Sequence, residues 1–384
     1  MGSLTVLMTL SAVGWAVATL VAMRRVGKGD HRLGPSDEPA VCAGLVSVII
    51  PARNEVENIG KAVRSILASD YGELEVIVLN DGSTDGTSGV LSDFIDPRLR
   101  VIEGGDEPLP SNWFGKPWAC HRAAKQANGE WLLFVDADVC VAPEAVSRAV
   151  GYAQANGVAL LSGFGRLDEE GEQILQPIIA GMVVAGNPLS QVNDPENRKR
   201  IVANGQFMLF SKRGYDAVNG HMAVARNVLD DVGLAHAIVD ADERLVVLMM
   251  QRLFCVRMYG DWRETWQGWR KNLFPGMGSS WLSLCVLLVS SALFLVGPYF
   301  VILLGFFGLI AQETLLAAAA AVFSIQAFRL YLDGVFGTSR WVGQLSHFVA
   351  NVAVLGLMVD SAVSTTRGVA VWKGRVITRE EDKY

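Results

Sequence analysis

Two carboxylates separated by one alanine, Asp136 and Asp138, close a wholly apolar run at residues 131–135. Such a run, bounded by polar residues, reads as a strand buried on both faces, which puts both acids at its carboxyl end, where open α/β sheets bind ligands. Carboxylates there can hold a divalent cation through hard oxygen ligands, and the cation can in turn neutralise a diphosphate. A solvated turn fits the same short pattern. A second Asp-Ala-Asp at residues 240–242 lies between a helix-like stretch at 229–238 and a strand-like run at 245–250, and it reads as a solvated connection.

The elements that must position these acids follow from the pattern around them. Residues 27–44, rich in Gly, Pro, Asp and Glu, read as a linker. Residues 46–50 form a β-branched run stopped by Pro51, and Val56, Ile59, Val63, Ile66 and Leu67 then recur at helical spacing. A second apolar strand at 75–79 ends in a turn-rich stretch at 80–86, a third strand is expected at 99–102, and a helix at 117–128 precedes the 131–135 strand. Strands alternating with helices imply an α/β fold with a mostly parallel, doubly wound sheet. The loops 51–55, 80–85 and 136–138 all leave carboxyl ends of strands, so they converge on one crevice.

Composition sets the surroundings. With 51% hydrophobic residues in 384, the chain is too apolar for an ordinary soluble enzyme. Residues 4–23 are long enough to span a bilayer, and Arg24, Arg25 and Lys28 follow at once, the reverse of a signal peptide; the reading is an uncleaved anchor with its amino end outside. The five cysteines, Cys42, Cys120, Cys140, Cys255 and Cys285, lack any C-x-x-C pair, suggest neither zinc nor a disulfide framework, and fit a reducing cytosol. A net charge of −6 argues against nucleic acid as a partner.

Residues 48–55 (VIIPARNE), 78–85 (VLNDGSTD), Gly115-Lys116 and 134–138 (FVDAD) resemble, in order, the motifs of family 2 glycosyltransferases with the GT-A (Rossmann-like) fold. The resemblance spans about 46–275. It implies that Pro51, Asn54, Glu55 and Asp81 line the nucleoside, that Lys116 contacts the nucleotide sugar, that Asp136 faces the nucleotide and helps hold the ion, and that Asp138 is the main Mg2+ or Mn2+ ligand. Asn80 stands where the family usually has a second aspartate. Residues 228–235 (VLDDVGLA) resemble the family's acidic pair, which makes Asp231 the general base, with Asp230 in place of the usual Glu. Both acids also suit a helix amino end, and His221 and His236 rank below Asp231 as bases. Residues 204–207 are expected to floor the acceptor site.

Residues 262–274 carry Trp262, Trp266, Trp269 and Leu273 on one helical face and Arg263, Gln267 and Arg270 on the next, an interfacial helix against the bilayer. Its polar face is similar to the family's Gln-x-x-Arg-Trp motif and implies that Gln267 and Arg270 reach the nucleotide sugar. Lys271 replaces the final Trp, which weakens a processive reading, and residues 268–272 (GWRKN) more closely resemble the carotenoid- and hopanoid-associated branch. Candidate spans follow at 281–310, which contains Gly297-Pro298 and is one kinked span or the start of two, then at 315–332 and 342–363. Three spans after a cytoplasmic domain leave Arg367, Lys373, Arg375 and Arg379 outside, against the positive-inside tendency; two spans or one re-entrant segment would resolve this. Arg329 and Asp333 lie one turn apart, and His347 and Asn351 share a face.

The resulting expectation is a multi-pass cell-membrane protein: an anchor at 1–26, a linker at 27–44, a cytoplasmic GT-A domain at 45–278, spans at 279–366 and a tail at 367–384. It would act as an inverting, metal-dependent glycosyltransferase moving a sugar from a nucleotide donor, UDP-sugar first, to a membrane lipid of isoprenoid type. The rivals are a processive polysaccharide synthase and a catalytically silent scaffold of the same fold.

Overall fold

The computed structural model describes residues 2–27, 31–34, 37–39, 44–105, 109–168, 173–367, 370–372 and 375–377. Cys42, Lys28, Lys373, Arg379, half of the linker and most of the tail lie outside the described residues. The chain divides into two units, an α/β unit of Gly29–Asp168 and Asn187–Met258, and a helical unit of Met1–Lys28, Glu169–Gly186 and Tyr259–Tyr384. Residues 259–278, expected to close the α/β domain, therefore group with the apolar helices, as does an excursion at 169–186.

Among the described residues, ten strands build the α/β unit: β1 (Val46–Ala52), β2 (Leu74–Asn80), β3 (Leu99–Glu103), β4 (Trp131–Val135), β5 (Val139–Val141), β6 (Leu160–Phe164), β7 (Arg166–Leu167), β8 (Phe207–Ser211), β9 (Leu245–Met249) and β10 (Phe254–Val256). The main sheet has the order β3-β2-β1-β4-β8-β6-β9. It is mixed and mostly parallel: β1, β2, β3 and β4 run together, β6 and β9 pair in parallel, and only β8 is antiparallel to its neighbours. The continuous apolar runs explain the core, since β1, β4 and β9 bury nearly every residue and a strand covered on both faces needs no polar alternation. Pro51 does not stop β1 as expected; it lacks only the N–H donor, and the Ala52 carbonyl still accepts from the Asp81 N–H at 2.8 Å. The register Ala52↔Asn80 releases the loops after β1 and β2 at one level. A second sheet, β5-β10-β7, starts one residue after Asp138.

Among its described residues the helical unit holds four helices long and apolar enough to cross a membrane: Ser3–Arg24, Trp281–Phe306, Gln312–Phe336 and Arg340–Thr366. The first runs parallel to the third, tied by Thr5 to Thr314 between hydroxyls (2.7 Å) and by the Tyr331 hydroxyl donating to Ala22 O (3.0 Å). The expected kink at Gly297-Pro298 is a π-turn at Ala292–Val296 within one helix. Pro298 offers no N–H to Phe294 O, four residues back, and that carbonyl accepts instead from Ser11 Oγ (2.7 Å) and Trp15 Nε1 (2.9 Å) of the first helix. Arg329 is fully buried, its Nε on Asp333 at 2.8 Å and its other nitrogens on the carbonyls of Gln173 and Ile174. A buried guanidinium is tolerated because a carboxylate and two carbonyls accept from it.

Candidate active site

Sheet pairing assembles the site. Because β4 is antiparallel to β8 with Val135 opposite Phe207, the chain leaving β4 at Asp136 lies beside the chain entering β8 at Gln206, whose carbonyl accepts from the Asp136 N–H at 3.4 Å. One residue earlier, the Gly205 N–H donates to Asp231 Oδ2 at 2.9 Å. Two backbone steps thus join the carboxylate at the end of β4 to the carboxylate at the start of the helix Asp230–Asp240.

Lys116, in the first turn of the helix Gly115–Ala124, closes the arrangement with its ammonium 2.6 Å from Asp136 Oδ1. A Cβ at position 205 would stand 3.2 Å from Lys116 Nζ and 3.3 Å from Asp231 Oδ2, so glycine there is what lets cation and acid approach one another. A small cleft is lined by Pro51, Lys116, Asp136, Gly205, His221 and Asp230.

The electrostatics separate these groups. Desolvation and the like charge of Asp230 push the Asp231 carboxyl up to about 6, against the opposing pull of Lys116 and the two backbone N–H donors of Val232 and Gly205. Desolvation opposes the Lys116 charge, but Asp136 and Asp230 outweigh it and raise its pKa well above the ordinary lysine value. A carboxylate poised near neutrality beside a fixed cation suits proton transfer. Neither Asp230 nor Asp231 caps its helix: the cap position is Leu229, with no side-chain bond. His221 faces the cleft yet is buried, bonded to the Tyr215 hydroxyl at 2.8 Å and packed on Phe134, and burial followed by Lys116 drives its pKa to about 3. A nitrogen that weakly basic is a poor proton acceptor. His236 is exposed on another face of the helix.

The other expected residues fall into place unevenly. Asn54, at φ 52°, takes the Thr84 N–H on its side-chain oxygen, and its own N–H meets Ser83, lacing the loops after β1 and β2. Glu55 accepts from Asn58 and gives its N–H to Thr87. Asp81 is buried beneath Gly104, where a Cβ would meet it at 3.0 Å. Asn80 is buried and donates to Ser88 and Glu103, so the position that departs from the family pattern is built into the sheet edge. Asp138 is half-buried, its carbonyl accepting from the Arg257 N–H. Gln267 and Arg270 stand on the helix Trp262–Arg270 of the helical unit, where Arg270 pairs with Asp360 at 3.2 Å. The second Asp-Ala-Asp ends a helix: Asp242 takes a left-handed conformation at φ 58°, pairs with exposed Arg198, and closes the turn as a solvated connection should.

Sequence alone did not bring out Gly205, Asp230 and Lys116 as one constellation, nor the facing of Cys140 and Cys255, which are directly opposite across β5 and β10. The only trace of the first was a glycine just before an apolar strand, and pairing partners far apart in sequence leave none of the second.

Among the described residues no three His, Cys, Asp or Glu side chains converge as a ready-made metal cage. Asp136 and Asp138 offer one or two carboxylates, the donor set with which a hard cation is held when phosphate oxygens complete its shell, so the residues fit Mg2+ or Mn2+ arriving with a diphosphate.

Residues 47–218 match the family described as Glycosyl transferase family 2. The chain is 29% identical over 245 residues to a 4,4'-diaponeurosporenoate glycosyltransferase of Staphylococcus aureus (strain MRSA252), across 61% of this chain and 62% of that one. It spans less than two thirds of that relative's length. Its fold is similar to that of the mannosyltransferase PcManGT from Pyrobaculum calidifontis, solved in complex with GDP-Man and Mn2+, at 19% identity and a TM-score of 0.50, covering 94% of this chain and 97% of that one.

Proposed function

We propose that the chain, which carries a family 2 glycosyltransferase domain at residues 47–218, moves a sugar with inversion from a nucleoside-diphosphate donor to a lipid acceptor. The observation that carries this reading is the Asp136–Lys116–Asp231 arrangement: a fixed cation between an acid at a strand end and an acid held near neutrality.

In this reading Asp231 takes the proton of the acceptor hydroxyl or carboxyl, and the freed oxygen attacks the anomeric carbon in a single displacement. The bond to the diphosphate breaks as the new bond forms, and no carboxylate is assigned as a covalent nucleophile. Lys116 holds the departing phosphate charge by its ammonium, while Pro51, Asn54, Glu55 and Asp81 seat the nucleoside. Asp136 and Asp138 would hold Mg2+ or Mn2+. Such an ion supplies neutralisation of the charge that builds on the diphosphate. Gln267 and Arg270 are assigned to the donor as well. The diaponeurosporenoate relative supports a carotenoid-like acceptor, the four apolar helices support a multi-pass membrane protein, and Arg24 and Arg25 after the first of them support a cytoplasmic transferase domain.

Incubation of the purified protein with UDP- and GDP-sugars, Mn2+ and a total lipid extract, followed by mass analysis, is expected to yield one lipid carrying one added hexose from a UDP-sugar. A polymer would favour the processive synthase, and no nucleotide release from any donor would sink the transferase reading. The pH profile follows from the base. Asp231 works only when ionised, so kcat/KM is expected to climb about tenfold per pH unit below about 6 and level off above it. A profile flat from pH 5 to 8 would remove Asp231 from that role.

A further inference from the structure

The helix Arg340–Thr366 meets the length and composition of a membrane span, but its two ends are fastened to the same end of the helical unit. At its start, the Ser339 N–H donates to Gln173 Oε1 at 2.9 Å, and Gly343 packs so tightly on Asp333 that a Cβ there would meet the carboxylate. Near its finish, Asp360 accepts from Trp266 Nε1 at 2.8 Å and pairs with Arg270, and Ser361 Oγ accepts from the Phe274 N–H at 3.0 Å. Gln173 lies just after the chain enters the helical unit at 169, and 266–274 just after it enters again at 259.

The neighbouring helices identify that end. Phe274 precedes the helix starting at Trp281, the Tyr331 hydroxyl reaches Ala22 near the close of the first helix, and Arg329 holds Gln173 O and Ile174 O. The opposite end is marked by Thr5 on Thr314 and by Met8, Val301 and Ala318 packed together. A helix of 27 residues is about 40 Å long. Crossing would carry residues 360–366 to the Thr5 end, yet Asp360 and Ser361 are bonded at the other.

We propose, resting on the reading that the apolar helices sit in a bilayer, that Arg340–Thr366 lies along the membrane surface layer on the side from which the chain leaves for the α/β unit. The chain then crosses three times. The partner of this helix is the acyl–headgroup boundary of that leaflet. Trp341, Leu345, Val349 and Val352 recur every three or four residues, Val359 follows two turns later on the same face, and all are exposed, Leu345 to 85% and Trp341 to 81%. The opposite face buries Ala350, Val354, Leu357 and Ala362 against Leu175, Ile178 and Ile179 of the 173–186 excursion. The charge conflict eases as well, because Arg367 and Arg375 join Arg24 on one side.

Two readouts test this. In right-side-out vesicles, a protease added outside is expected to spare an epitope appended after Tyr384, together with the α/β unit, and to remove one placed before Gly2. Removal of both epitopes would overturn the proposal. Fluorophores on Leu345→Cys and Val359→Cys are expected to show equal, shallow quenching by lipids brominated at defined depths. A crossing helix would separate them by about 20 Å in depth, and that difference would overturn the in-plane placement. Release of the whole chain by alkaline carbonate would sink the membrane reading itself, a failure distinct from either.

Discussion

Asp231→Asn is expected to slow sugar transfer by about 10²–10⁴-fold, the usual contribution of a positioned base, while donor binding by calorimetry stays as in the parent chain. The amide keeps the shape of the side chain and can still accept from the Gly205 N–H, so the 204–206 loop and its contact with Asp136 persist. What disappears is a charge that desolvation and Asp230 already disfavour. Folding should therefore not suffer, and a melting temperature equal to or above that of the parent chain separates lost chemistry from lost structure. The residual activity should also lose its rise through about pH 6. Transfer at the parent rate would sink the assignment, and loss of donor binding along with rate would move Asp231 from the base to the nucleotide pocket.

Much of this site was legible because its parts sit where a local pattern ends. The 131–135 run is apolar on every residue, so its burial and the position of Asp136 follow from five residues alone. The strands at 46, 74 and 245 were equally plain, and so was the acidic pair ahead of the Asp230–Asp240 helix. What stayed hidden depends on partners distant in sequence. Strand β8, at Phe207–Ser211, has a composition that fits a core segment of any kind, and only its antiparallel seat between β4 and β6 carries Gly205 to Asp231. The division between units was hidden for a related reason. The helix Gln176–Gly186 is apolar and 11 residues long, like a core helix, though it packs with the long helices, Gly181 admitting Leu332 against its backbone. Hydropathy likewise counts Arg340–Thr366 as a span, because apolar length says nothing about where the two ends are tied.

Asp138→Asn is expected to fail differently from Asp231→Asn. Its backbone is set by the Arg257 N–H on its carbonyl and by β5, which begins at the next residue and pairs with β10, so the amide should occupy the same place. An amide oxygen is a weaker ligand for a hard cation than a carboxylate, and only Asp136, already 2.6 Å from Lys116, would remain as an anionic donor beside it. If the ion supplies several kcal/mol of charge stabilisation, losing its main ligand lowers transfer by about 10²–10⁴-fold at ordinary metal concentrations. Part of that loss should return as Mn2+ is raised, whereas no metal concentration rescues Asp231→Asn. Donor binding should weaken in step, because the diphosphate is held through the same ion. Titrating Mn2+ against both donor affinity and rate reads the two effects together. Unchanged metal dependence with full activity would remove Asp138 from the cation site and leave Lys116 as the countercharge for the departing nucleotide.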